Sequence, residues 1–145
     1  VRLSPERFGI DTQEALEMAT RCLNDDRLDF LDMSLWDVFK EPVDEAFAGN
    51  SLLELFAGLE RTQVKLGVAG KIGTPQLADQ AMNHEIDWIM LGRAAILQHD
   101  FPNRYAADVG FIPVPLPVSR DYLADEGLSV KFIDYMATWP GFVVD

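Results

Sequence analysis

One cysteine in 145 residues, Cys22, rules out an internal disulfide. With only two histidines besides it, His84 and His99, a cysteine-rich structural zinc site is excluded, and no metal site is read from the sequence. A lone thiol fits a reducing compartment, so the expected location is the cytoplasm. Basic residues are scarce too: 12 Lys and Arg stand against 24 Asp and Glu, a net charge of −12. A surface of that sign does not neutralise the phosphates of a nucleic acid and does not dock on anionic lipid, so neither is an expected partner. Long hydrophobic runs are missing as well. The longest charge-free stretch of the C-terminal region, 109–119, is interrupted by Pro113, Pro115 and Pro117, and a membrane-spanning helix needs roughly 20 apolar residues. What remains is a globular composition, 48% apolar and 25% charged, at a length that buries about 70% of the unfolded surface.

Strand and helix patterns alternate along most of this length. Val1 and Leu3 alternate with Arg2 and Ser4, which predicts a strand over 1–4. A chain that opens inside a core strand is expected to be a piece of a longer protein. Asp11 and Glu14 form a capping-box signature ahead of Ala15, Leu16, Ala19, Cys22 and Leu23, which recur at helical spacing. A strand is predicted over 29–34, then an irregular segment from Trp36 to Asn50. Ser51 caps a helix with Leu52, Leu55, Phe56 and Leu59 on one face. A third strand over 64–69 runs into the turn Gly70-Lys71-Ile72-Gly73, and Thr74-Pro75 starts a helix with Leu77, Ala78, Ala81 and Met82 inward. A fourth strand over 86–91 ends at Gly92-Arg93, and a helix follows from Ala94. Beyond it, Phe111 to Pro117 reads as extended. Ser119 caps a short helix closed by Gly127, and Ser129 starts another with Val130, Ile133 and Ala137 on one stripe.

Four βα repeats imply an α/β fold with parallel strands and crossover helices. Two architectures satisfy the pattern: an open four-stranded sheet, or half of an eight-stranded barrel, whose half is about 125 residues. In either, ligands bind at the carboxyl ends of the strands. Gly70 and Gly92 each stand at such an end, shortly before a helix start, where backbone N–H groups and the positive end of the helix dipole attract an anion. Lys71 and Arg93 follow them. The competing reading is that both glycines only make tight turns. Arg2, between two apolar residues of a strand, either points into a barrel mouth or pairs with an acid.

Val1-Arg2-Leu3-Ser4-Pro5, the Phe30–Ser34 strand, Val68-Ala69-Gly70-Lys71-Ile72 with Thr74-Pro75, and Ile86 to Ala94 closing on Leu91-Gly92-Arg93-Ala94 together resemble the old yellow enzyme family. Its members are FMN-dependent NAD(P)H:flavin oxidoreductases and ene-reductases on a (β/α)8 barrel. The resemblance covers most of residues 1–104, where His99-Asp100-Phe101-Pro102-Asn103 is similar to the stretch after the family's last strand. It implies a C-terminal half-barrel, (β/α)4, over residues 1–108, holding the family's strands five to eight and the FMN-phosphate site, with 109–145 as an extension of short helices packing on it. Arg2 would face the flavin pyrimidine edge and stabilise negative charge on the reduced ring. Gly70, Lys71, Gly92 and Arg93 would hold the FMN phosphate through backbone N–H groups. Many relatives carry Gly where this chain has Lys71. Trp36 and Phe39 would lie in a loop over the active-site mouth.

The expected activity is that of part of an FMN-dependent oxidoreductase, passing hydride from NADH or NADPH through flavin to an electron-poor alkene. The family's substrate-holding and proton-donating residues come from earlier strands, so the chain alone is expected to be inactive. Two further readings stay open: a phosphate-binding half-barrel without catalysis, and a fragment that only assembles with a partner. His84 and His99 read as surface or capping residues, Cys22 as packing, and Tyr105, Tyr122 and Tyr135 match no catalytic motif. A half-barrel leaves its first and fourth strands as edges and is expected to expose Leu3, Met33, Leu66 and Met90 on its inner face. Pairing with an N-terminal half-barrel, or with a second copy, is therefore expected.

Overall fold

The computed structural model describes residues 1–144 and separates into two compact units, one of Val1–Ile72 with Leu77–Leu91, the other of Gly73–Gln76 with the chain from Gly92 onward. The segment 92–108 belongs by its contacts to the unit that holds the C-terminal helices. Among the described residues no helix is long and apolar enough to cross a membrane.

The first unit is α/β. Strands β1 (Arg2–Leu3), β2 (Phe30–Ser34), β3 (Lys65–Ala69) and β4 (Trp88–Met90) form one parallel sheet in the order β1-β2-β3-β4. The outer two are shorter than the patterns at 1–4 and 86–91 suggest. Helices α1 (Thr12–Leu23), α2 (Leu52–Ala57) and the body of α3 (Pro75–Met82) connect the strands. Both α1 and α2 open with capping boxes, Asp11 with Glu14 and Ser51 with Glu54, each satisfying two backbone donors reciprocally.

Register decides which side chains enter the core. Leu3, Met33, Val68 and Ile89 lie side by side across the sheet, and Leu31 pairs with Leu66 on the same face. Met33, Leu31, Leu66 and Val68 are all fully buried. The expectation that Leu3, Met33, Leu66 and Met90 share an exposed inner face is thus corrected. The first three belong to the buried side, with Leu3 half-buried, and only Met90, level with Ala69, is on the other. That other face carries Arg2, Phe30, Asp32, Ser34 and Trp88. The Trp88 indole lies over Gly67, where a Cβ would sit 2.2 Å from the ring, and meets Phe30 edge-on at 5.6 Å.

Helix faces shift by about a residue from the expected stripes. In α2, Leu53 and Ala57 join Leu52 and Phe56 in the core, and Leu55 and Leu59 are only half-buried. In α3, Ala78 and Ala81 are buried but Met82 is exposed. Irregular chain does run from Trp36 to Asn50, apart from a 3-10 turn at Glu45–Phe47.

The second unit consists of α4 (Arg93–Leu97), α5 (Phe101–Ala107), β5 (Val118–Ser119), α6 (Arg120–Asp125), α7 (Val130–Ala137) and β6 (Val143–Val144), with β5 and β6 paired in parallel. Helix α5 is not predicted as a separate element from the sequence, which gives only a helix from Ala94. Its core joins Leu97, Val118, Leu123, Ile133, Met136 and Phe142. On α7 the buried stripe is Ile133 and Met136; Val130 and Ala137 are exposed.

Candidate functional site

Three neighbouring strands of the sheet unit leave their carboxyl ends through strained backbone. After β1, Glu6 and Phe8 adopt φ of 58° and 57°; after β2, Trp36 has 63°; after β3, Lys71 has 52°. A side chain in the left-handed region costs about 1–2 kcal/mol. Such strain gathers where a site over-determines the backbone, and no other non-glycine residue among those described has positive φ.

Glu6 anchors this rim. Its side chain is 9% exposed and accepts hydrogen bonds from Lys40, from the Val43 backbone N–H and from Thr12 Oγ1 at 3.0 Å. Burial pushes its pKa up, but the bonds from Lys40, Val43 and Thr12 outweigh burial, and the carboxyl titrates below its ordinary range. The β1–α1 loop and the long loop after β2 are therefore tied through one carboxylate. Phe8, Ile10 and Val43 with Arg7 and Asp44 border an open depression of about 620 Å3 at this end. Nothing in the local sequence around Glu6 announces the tie, because its partners lie up to 37 residues away.

The structure places the predicted residues as follows. Arg2 pairs with Asp32 on the adjacent strand, Nε to Oδ2 at 3.6 Å, and donates from Nη2 to Ser34 Oγ at 3.2 Å. It thus has an acidic partner and still leaves its side chain 60% exposed on the sheet face away from the core. Asp32 Oδ1 is buried without a hydrogen-bond partner. Gly70 has φ 156°, and a Cβ there would stand 2.8 Å from the backbone of Trp36 and Asp37. The glycine is required by the chain beside it: the Val38 N–H donates to Gly70 O at 3.2 Å. Lys71 turns its ammonium to Asp37 at 2.9 Å, which settles the direction of that side chain. Trp36 is exposed and lies under the Arg7 guanidinium, 4.3 Å from the ring centroid. Phe39 is half-buried in the same loop, its N–H donating to Asp37 Oδ1 at 3.3 Å. Arg2, Trp36, Phe39, Gly70 and Lys71 all belong to the sheet unit, and Gly92 and Arg93 to the other. Gly92 caps α4, accepting from the Ala95 N–H at 3.0 Å; a Cβ there would meet nothing within 4 Å, and Arg93 is exposed.

The second unit holds a polar cluster that no local motif signals. His99 Nδ1 stands 2.7 Å from Glu126 Oε2, and the His99 backbone N–H donates to the same oxygen at 2.9 Å. Asp100 is adjacent, with Arg104 Nε on its Oδ1 at 2.8 Å. Donor atoms of His99, Asp100 and Glu126 all lie within 4.8 Å of one another. Burial raises the Glu126 pKa, but hydrogen bonds from the His99 backbone and ring outweigh it, so this carboxyl titrates below its usual range. Tyr122 donates to Leu97 O at 2.7 Å.

Neither a protein-family model, nor a curated protein, nor a solved structure matches this chain.

Proposed function

We propose that the chain is the flavin-phosphate half of a (β/α)8 oxidoreductase, a (β/α)4 half-barrel whose ligand rim is the carboxyl end of the parallel sheet. The observation that carries this reading is the strain at that rim: three adjacent strand ends each exit through non-glycine residues with positive φ, where parallel βα folds bind ligands. The residues present fit a flavin nucleotide. Arg2 keeps its charge at every accessible pH and stands exposed beside the rim strands, so it would offset negative charge on the pyrimidine edge of a reduced flavin. Gly70 and Lys71 would present backbone N–H groups, with the Lys71 side chain held aside by Asp37. Gly92 and Arg93, which the sequence resemblance also assigns to the phosphate, lie in the other unit, where both are exposed. Trp36 and Phe39 would shape the substrate side of the rim. Bound FMN would supply the hydride relay between NADH or NADPH and an electron-poor alkene. The remaining substrate-holding groups would come from an N-terminal half-barrel or a second copy that covers the sheet face bearing Arg2, Asp32 and Trp88.

The test is a fluorescence titration of the chain with FMN, riboflavin and inorganic phosphate. FMN is expected to bind about tenfold or more tightly than riboflavin, a difference of about 1.4 kcal/mol or more, and Arg2→Met to weaken FMN but not phosphate. Phosphate binding with no preference for the flavin ring would favour a non-catalytic phosphate module. No binding of any of the three, with or without a complementary half-barrel, would sink the proposal.

A further inference from the structure

The cluster in the second unit has the donor set of a transition-metal site, and nothing in the flavin reading uses it. We propose that His99, Asp100 and Glu126 bind a divalent ion of the zinc type through His99 Nδ1 and one oxygen from each carboxylate. Three protein ligands with one imidazole and two carboxylates suit Zn2+ and its neighbours, and leave a position for water.

The chemistry of each donor supports this. Glu126 is 10% exposed and fixed by the His99 backbone N–H, so one ligand is held in place before the ion arrives. The His99 ring is 65% exposed and held by its Nδ1 contact to Glu126, and Asp100 is 31% exposed with one oxygen engaged by Arg104. A tetrahedral ion spaces neighbouring donors about 3.3 Å apart. The His99–Glu126 pair at 2.7 Å has to open slightly, and the wider separations, up to 4.8 Å, have to close. Rotation of the exposed imidazole and of Asp100 supplies both movements. The ion takes the place of the direct His99 Nδ1–Glu126 contact. Two carboxylates against the single Arg104 guanidinium leave the cluster with a net negative charge to receive a dication.

Isothermal titration of the full chain with Zn2+, and with Co2+ as a spectroscopic probe, tests the site. One saturable ion per chain is expected, with the Co2+ absorption of a low-coordinate site. His99→Ala, at a side chain that is 65% exposed, should weaken binding about tenfold or more, the scale at which even supporting residues of metal sites act. His84→Ala should bind as the wild type does. Arg104→Gln should tighten binding by freeing the second Asp100 oxygen. Absence of saturable binding, wild-type affinity in His99→Ala, or loss of binding in His84→Ala would overturn the site.

Discussion

In the sheet unit the dry interior is aliphatic and strand-borne: Leu31, Met33, Leu66 and Val68 are wholly buried on one face, with Leu23, Leu52, Leu53 and Phe56 from the helices. The second unit closes around six buried residues drawn from short helices, one two-residue strand and the turn at Phe142. It adds polar ties that the sheet unit concentrates at its rim, namely His99 with Glu126, Tyr122 with Leu97 O, and Arg120 with Asp134. The difference follows from periodicity. A parallel strand covered on one face buries every second residue at no cost in unpaired backbone, whereas helices of five to eight residues each offer only one or two buried positions. Their orphan end groups then have to be met by caps and side chains.

The largest expected effect tests this contrast directly. Leu66→Ala and Leu123→Ala each remove a fully buried leucine, and each should cost about 2–5 kcal/mol. Amide hydrogen exchange separates the consequences. In Leu66→Ala the strand amides should remain protected at a reduced level, because the neighbouring strands retain their own buried rows. In Leu123→Ala, amides of α6 and α7 should lose protection altogether, since one of six core residues is gone. Equal partial losses in both units would break the comparison.

Backbone strain gives the next effect. Gly70→Ala places a methyl against the backbone of Trp36 and Asp37, which cannot swing away as a side chain can. It should destabilise the sheet unit by about 1–3 kcal/mol, as measured by chemical denaturation. Gly92→Ala, with open space at its Cβ, should be nearly silent in the same measurement and lower FMN affinity only if its amide holds the phosphate.

How much of this could be read from the sequence depended on range. The four parallel strands and the caps at Asp11, Ser51, Ser119 and Ser129 are written in local chemistry, and the structure has them. Face assignment was less legible. Alternation puts Leu3 and Met33 on one side of their strands without saying which side is buried, and Leu66 and Met90 sit in more uniformly apolar strands, where only the pairing of Leu31 with Leu66 and of Ala69 with Met90 assigns the face. Helix α5 is marked locally only by Pro102 in its first turn, where proline fits, and no polar cap at Asp100 bonds its first amides. For the candidate site, Gly70 and Lys71 were visible as a strand-end turn, but their need for positive φ comes from the loop of Trp36 beside them. The ties at Glu6 and Glu126 were illegible, since each joins residues 27 or more positions apart.

Those two carboxylates make the contrast pH-dependent. Both have folded pKa values below the ordinary 4.5. A group depressed on folding contributes stability that is present above its unfolded pKa and lost as pH falls through its folded pKa. Each unit should therefore loosen in acid below about pH 4.5. Glu126→Gln should flatten that loss in the second unit at a cost of about 1–3 kcal/mol at neutral pH, from the partners left behind. Glu6→Gln should flatten it only in part, because Asp87 is also depressed. Burial opposes that shift, but bonds from Lys65 and from the Leu66 N–H outweigh it. Trp36 fluorescence follows the first unit and Trp139 the second, in variants that keep one tryptophan of interest. A full loss of acid sensitivity in Glu6→Gln would assign the effect to Glu6 alone.

The smallest effect compares the helix starts themselves. Helix α2 of the sheet unit carries a reciprocal box, in which Ser51 Oγ accepts from the Glu54 N–H at 3.2 Å and Glu54 accepts from the Ser51 N–H at 2.6 Å. Helix α7 of the second unit has a single bond, from the Phe132 N–H to Ser129 Oγ at 3.4 Å. Losing a serine cap costs about 1 kcal/mol. Ser129→Ala removes its helix's side-chain cap and should approach that figure. In Ser51→Ala the glutamate still reaches back to the residue-51 N–H, so half of the box survives and the cost should be smaller. Glu54→Ala in addition removes the other half, and the double variant should lose more than Ser129→Ala does. Denaturant midpoints for the three variants give the ranking. If Ser51→Ala proves costlier than Ser129→Ala, the box acts as a unit that fails whole, and the sheet unit depends on its caps more than its aliphatic interior implies.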